Sequence, residues 1–136
     1  MAWVVDTCLL IDIAEDDPKF GGSSAKLLDS KARGGLLTCP ITYAELSPIF
    51  DGEVDLQNEF MGGIGIQWQE AWTWQDTKTS HAAWGTYVMK KRLGGIPKRP
   101  IADILIGAFA SRFEGLLTRN PQDFASVFPN LKLVSK

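Results

Sequence analysis

The stretch Trp3-Val4-Val5-Asp6-Thr7-Cys8-Leu9-Leu10 shows the unit from which the whole chain is built. Its first residues predict a short buried strand, because the apolar side chains follow one another without polar alternation. The apolar residues of 9–14 then recur at helical spacing, and Thr7 is predicted to cap that helix. A buried strand followed at once by a helix is typical of parallel sheets with covered faces.

The same unit recurs along the chain. Further short strands are predicted at 36–39, 66–68, 116–118 and 131–134. Helices are predicted from Ser23 or Ser24 to Ala32, from Pro40 to about Ile49, over 54–61, over 76–93 and over 101–113, with Gly115 ending the last one. Strands that alternate with helices indicate an α/β fold, a parallel sheet with helices on both faces.

Length and composition set the class of protein. The chain has 136 residues, which predicts a single domain, 1–136. Its 14 basic and 16 acidic residues give a net charge of −2, which excludes a strongly basic nucleic-acid coat but not a local basic patch. Cys8 and Cys39 lack the spacing of a zinc site. We expect a cytoplasmic protein, because neither a secretory signal nor a membrane span is visible.

Four acids fall where a parallel sheet would bring them together. Asp6 ends the first strand, Glu45 lies in the helix after the second, Asp103 begins the helix before the fourth, and Asp123 follows the fourth. Binding crevices in such sheets form at the carboxyl ends of the strands. Clustered carboxylates repel one another, and a divalent cation removes that repulsion. All-oxygen ligands suit Mg²⁺ or Mn²⁺, which points to metal-assisted phosphodiester hydrolysis.

Each acid also has a structural interpretation. Asp6 can cap the first helix, Asp103 can complement a helix dipole, and Asp123 can cap a turn. Glu45 falls within an apolar stripe, where a lone carboxylate is costly, and this favours a site role. The sequence leaves open whether Asn120 or Asp123 is the fourth site residue. Asp12 is expected to point away from Asp6.

The order and local sequence of these acids resemble the PIN-domain family, and within it the VapC-type toxin ribonucleases. The resemblance runs nearly the whole length and has these anchors: Val4-Val5-Asp6-Thr7, Thr42-Tyr43-Ala44-Glu45-Leu46, Ile101-Ala102-Asp103-Ile104-Leu105-Ile106-Gly107-Ala108 and Leu117-Thr118-Arg119-Asn120-Pro121-Gln122-Asp123-Phe124. It implies a three-layer α/β/α fold with a central five-stranded parallel sheet in the order 3-2-1-4-5.

The resemblance also implies a function. It implies an endoribonuclease restrained by an antitoxin and acting as a homodimer, with Mg²⁺ or Mn²⁺ as cofactor. The implied metal ligands and catalytic residues are Asp6, Glu45, Asp103 and Asp123. Thr118 and Asn120 match the polar positions beside the fourth acid. Together with Thr7 they are expected to orient carboxylates or waters.

Basic and aromatic residues are expected to contribute to RNA binding and to packing around the acids. Lys98, Arg99, Arg112 and Arg119 flank Asp103 and Asp123 and are predicted to hold the RNA backbone, the other possibility being solvated helix ends. The tryptophans of 66–84 are interpreted as core or oligomer contacts rather than as platforms for RNA bases.

Two rival functions are weighed against the ribonuclease. The first is a PIN-like module that binds RNA or protein without cutting. The second is a phosphatase with an aspartyl nucleophile, which would want an acid two residues after Asp6. Cys8 stands at that position, so the phosphatase ranks below the other two hypotheses.

Overall fold

The central sheet has five short strands. A computed structural model describes residues 1–136, with β1 (Trp3–Val5), β2 (Leu36–Leu37), β3 (Ile66–Gln67), β4 (Gly115–Leu117) and β5 (Leu133–Val134). Their order is β3-β2-β1-β4-β5, and every neighbouring pair is parallel. The predicted fold class and strand order are therefore confirmed.

Seven α-helices connect and cover the strands. They are α1 (Thr7–Ala14), α2 (Gly21–Lys31), α3 (Pro40–Glu45), α4 (Val54–Gly63), α5 (Trp74–Arg92), α6 (Ile101–Ala110) and α7 (Gln122–Ala125), with 3₁₀ turns at Ala32–Gly34 and Ser47–Phe50. The sequence predicted all of them except α7, which is only four residues long. No helix combines the length and the apolar character that crossing a membrane requires.

The sheet separates two apolar cores. Along β1, Val4 faces the core formed with α5 and α6, and Val5 faces the core formed with α1 and α2. Leu116 and Leu117 of β4 alternate between the two cores in the same way. This alternation, together with burial on both sides, explains why the strands show continuous apolar runs in the sequence.

Two element ends need comment. Of the two caps that the sequence allowed for α1, the structure shows Asp6 and not Thr7: the backbone of Asp6 is extended and its carboxylate accepts from the Thr7 amide, so Thr7 is the first helical residue. Gly115 does not end α6, which stops at Ala110, but begins β4. A Cβ at Gly115 would lie 2.5 Å from the Lys132 carbonyl oxygen and 2.6 Å from the Trp3 ring. Close packing of the strands therefore requires this glycine.

Candidate active site

The candidate site lies where the strand order reverses, between β1 and β4. Asp6 directly follows β1, and Thr118 directly follows β4. The Asp6 amide donates to the Leu117 carbonyl oxygen at 2.9 Å, which fixes the two strand ends side by side. In open α/β sheets this reversal point, at the carboxyl ends of the strands, is the usual binding crevice.

Asp6 is a buried carboxylate surrounded by hydrogen-bond donors. It is 7% exposed. Its Oδ1 accepts from the Thr7 amide at 2.8 Å, and its Oδ2 accepts from the Thr118 hydroxyl at 2.7 Å and the Cys8 thiol at 3.3 Å. Burial raises the pKa of Asp6, and these hydrogen bonds offset part of that rise. Helix capping and a place in the site are therefore compatible for this residue.

Glu45 reaches the same region from the end of α3. The Thr7 hydroxyl donates to its Oε1 at 2.7 Å and lies 2.9 Å from the Thr42 hydroxyl. Glu45 is exposed, so the expectation that it lies within an apolar stripe was wrong. Thr42 and Leu46 occupy the buried side of this segment instead, and they leave the carboxylate free to face the site.

Asp103 shows most directly that the acids converge. It stands in the first turn of α6 and is half-buried. Burial raises its pKa to about 6, together with the negative charges of Asp6, Asp123 and Glu45. Acids that lie 20 or more residues away in the sequence are thus close enough to Asp103 to raise its pKa.

The fourth acid is paired with a cation. Asp123 lies in α7, and its Oδ1 forms an ion pair with the guanidinium of Arg99, from the loop before α6. The backbone amide of Asn120 donates to the Thr118 hydroxyl at 3.0 Å. Thr118 thereby connects the loop carrying Asn120 to the carboxylate of Asp6.

Two of the arginines predicted to hold RNA have other partners. Arg119 makes two 3.0 Å hydrogen bonds to Asp12 and lies over the Phe20 ring, 4.0 Å from its centroid. Arg112 follows the C-terminal end of α6, about two turns of helix past Asp103. It holds Asp76 through hydrogen bonds of 2.6 and 2.8 Å. Both guanidiniums stabilise the fold in these contacts, and among the predicted RNA-binding cations only Arg99 contacts one of the acids.

The two acids that bind these arginines, Asp12 and Asp76, were not predicted from the sequence to have this role. Asp12, which was expected only to point away from Asp6, is buried and also accepts from the Ser24 hydroxyl at 2.9 Å. Asp76 caps α5 with Thr73 in a reciprocal pair of hydrogen bonds. The Thr73-x-x-Asp76 spacing signals that cap, but no local signal reveals Arg112 or Arg119 as the partners.

The donor set determines which metal the site would take. Asp6, Glu45, Asp103 and Asp123 offer only carboxylate oxygens, the ligands that Mg²⁺ and Mn²⁺ prefer. The raised pKa of Asp103, caused by burial and by the neighbouring acids, shows negative charge that a cation would relieve. As the side chains stand, no three His, Cys, Asp or Glu residues are close enough together to hold a metal ion. The residue types therefore suit a divalent cation, and the carboxylates must move closer together to bind one.

Comparison with known proteins identifies the fold. No protein-family profile matches the chain, and no curated protein matches its sequence. Among solved structures, it is similar to a chain in the crystal structure of VapBC2 from Rickettsia felis bound to a DNA fragment from their promoter. The TM-score is 0.67 at 18% identity, over 98% of both chains. The likeness extends over the complete architecture, from β1 to β5.

Proposed function

We propose that this chain, which has the PIN-like fold of a VapC-type protein, is a metal-dependent endoribonuclease and the toxin of a type II toxin–antitoxin pair. The observation that supports the proposal best is geometric: at the strand-order reversal, Thr118 and the Thr7 amide hold the carboxylate of Asp6, while the Thr7 hydroxyl holds that of Glu45. Four carboxylates gathered at the strand-order reversal of this fold are suited to phosphodiester hydrolysis.

In the proposed mechanism, Asp6, Glu45, Asp103 and Asp123 hold Mg²⁺ or Mn²⁺. The bound ion supplies an activated water and charge neutralisation at the phosphodiester. Thr118 and the Thr7 amide fix the carboxylate of Asp6 from both sides, and the Thr7 hydroxyl fixes Glu45. These hydrogen bonds set the directions of the ligand oxygens before substrate arrives.

Lys98 and Arg99 are proposed to bind the RNA backbone. Both belong to the loop between α5 and α6, which leads directly to Asp103. Lys98 is exposed and forms no ion pair, and Arg99 stands at Asp123. Their charge would attract phosphates toward the acids and oppose the repulsion between RNA and four carboxylates.

An antitoxin, a second copy of the chain and a cytoplasmic location belong to the same proposal. Large apolar side chains are exposed on α4, at Val54 and Leu56, on α5, at Trp74 and Met89, and at Leu93 directly after α5. Exposed apolar side chains on helices are typical of surfaces that receive partner helices or a second subunit. The Trp-rich segment thus contributes both core packing, through Trp72 on Phe109, and exposed contact area.

One observation favours the non-catalytic alternative. The Arg99–Asp123 ion pair neutralises one of the four acids within the chain itself. A PIN-like module that only binds RNA or protein would tolerate such a pair permanently. Metal binding separates the two functions, because the ribonuclease requires it and the binding module does not.

The test is cleavage of a mixed pool of single-stranded RNA in Mn²⁺, with EDTA as the metal-free arm. We expect cleavage by the wild type and a loss of at least about 100-fold in Asp6→Asn and Asp103→Asn. Asp55→Asn is the matched control, since Asp55 is an exposed acid of α4 that makes no contact with the four candidate acids. Equal cleavage by all variants, or cleavage that survives EDTA, would overturn the proposal.

A further inference from the structure

Arg99 is the one arginine whose side chain faces the candidate site. Its guanidinium contacts Asp123 Oδ1, and the two side chains are 28% and 16% exposed. Arg112 and Arg119, in contrast, each use two guanidinium nitrogens to bind a carboxylate, and that carboxylate is almost completely buried. The ion pair of Arg99 is therefore the most accessible of the three to solvent and to competing ions.

The backbone of Arg99 is held separately from its side chain. The Arg99 amide donates to the Tyr87 hydroxyl at 2.5 Å. The Tyr87 ring is buried in the core, and Trp84 stacks on it with 5.2 Å between ring centroids. Residue 99 is thus tied to α5 whether or not its guanidinium contacts Asp123. Releasing Asp123 requires rotation of one side chain and leaves the loop in place.

The carboxylate of Asp123 has two competing uses. A divalent cation and a guanidinium cannot both take the same oxygen, and their positive charges repel each other at short range. In the metal-free protein, Arg99 forms an ion pair with Asp123. A divalent ion has to displace this resident charge before all four acids can become ligands.

We propose that Arg99 is an internal counter-cation that a divalent ion displaces from Asp123, and that the released guanidinium, still tethered through Tyr87, then meets an RNA phosphate. Arg99 is in this account a positioning residue with two alternative anionic partners. The inference rests on the proposed function, since it assumes that the acids bind a metal. It goes further because it couples two binding events: metal binding releases the guanidinium that then binds RNA.

The test is isothermal titration of Mn²⁺ alone, without RNA, into the full chain. Arg99→Gln removes the competitor, so we expect it to bind Mn²⁺ about fivefold more tightly than the wild type. Lys91→Gln removes the same charge from an exposed side chain of α5 that forms no ion pair, and we expect its affinity to stay within about twofold of the wild type. Arg99→Lys, which keeps the charge, should stay near the wild-type affinity.

The outcomes separate the two proposals. If the wild type binds Mn²⁺ and Arg99→Gln binds it equally or more weakly, the counter-cation inference is wrong and the ribonuclease proposal stands. If neither protein binds Mn²⁺, both fail.

A second measurement uses only the wild type, so it does not depend on whether a site variant folds. In a Mg²⁺ titration of the wild type followed by NMR of the arginine Nε–H groups, the Arg99 resonance should move and those of Arg112 and Arg119 should not. An Arg99 resonance that stays in place while Mg²⁺ binds would also overturn the inference.

Discussion

Asp103 is the acid whose protonation depends most visibly on its neighbours, and it allows a pH prediction. Burial and the other acids raise its pKa from 3.8 to about 6. The folded protein therefore binds this proton more tightly than the unfolded chain. The resulting stability is fully present below pH 3.8 and is lost as the pH rises through about 6.

Asp103→Asn should consequently stabilise the metal-free protein above pH 6, by about 2 kcal/mol at pH 7.5 and by little at pH 4. Urea unfolding at the two pH values in EDTA measures this difference. Saturating Mn²⁺ should reverse the ranking at pH 7.5, because only the wild type keeps the ligand. The same ranking with and without Mn²⁺ would contradict the metal-binding role of Asp103.

Two threonines that each follow a strand make a matched pair of variants. The Thr118 hydroxyl donates to Asp6 and accepts from the Asn120 amide, whereas the buried Thr38 hydroxyl has no hydrogen-bond partner. We expect Thr118→Val to weaken Mn²⁺ binding by about 10- to 100-fold, since it frees the carboxylate of Asp6. Thr38→Val should leave metal binding unchanged and unfold at equal or higher urea concentration. Similar effects of both variants on Mn²⁺ affinity would show that Thr118 acts only through general packing.

At the scale of elements, the long helix α5 is joined to the end of α6 by a pair of charges. Asp76 is 1% exposed and takes both guanidinium hydrogen bonds from Arg112. Arg112 also donates to the Ala71 carbonyl oxygen at 3.0 Å, so it holds the segment that leads into α5. Arg112→Gln would leave a buried carboxylate without its cation.

We expect Arg112→Gln to lower the free energy of unfolding by about 3 kcal/mol, the cost of an unpaired buried charge. Lys91→Gln, at the exposed C-terminal turn of the same long helix, should change it by less than about 0.5 kcal/mol. Urea unfolding of both variants provides the measurement. A selective loss of RNA binding in Arg112→Gln, with stability unchanged, would restore the RNA-backbone role that the sequence first indicated for this residue.

For the whole molecule, the class of fold could be predicted from the sequence because strands buried on both faces consist of consecutive apolar residues. Short apolar runs such as Leu36-Leu37 and Leu116-Leu117, standing between predicted helices, are typical of strands buried on both faces, and the structure places these two strands on either side of β1. The strand order came from the resemblance to the PIN-domain family. The ends of elements were less accessible, as Asp6 and Gly115 show, because they depend on contacts from distant segments.

The places of the candidate acids relative to the strands and helices could be predicted from the sequence, but their cationic partners could not. Acids at strand ends are brought together by topology, which the alternation of elements reveals. Ion pairs such as Arg119–Asp12 and Arg112–Asp76 join residues 107 and 36 positions apart, on elements whose relative orientation no local pattern encodes. The basic residues therefore looked equivalent in sequence, and only the fold separates Lys98 and Arg99 from the two arginines that stabilise it.

The proposed function requires four acids from distant parts of the chain to form one metal site, which titration calorimetry with Mn²⁺ can detect. The proteins to compare are the wild type, the double variant Asp6→Asn/Asp103→Asn and the exposed-acid control Asp55→Asn. We predict saturable binding by the wild type and the control, and none by the double variant. Equal binding by all three proteins, or by none, would contradict the account.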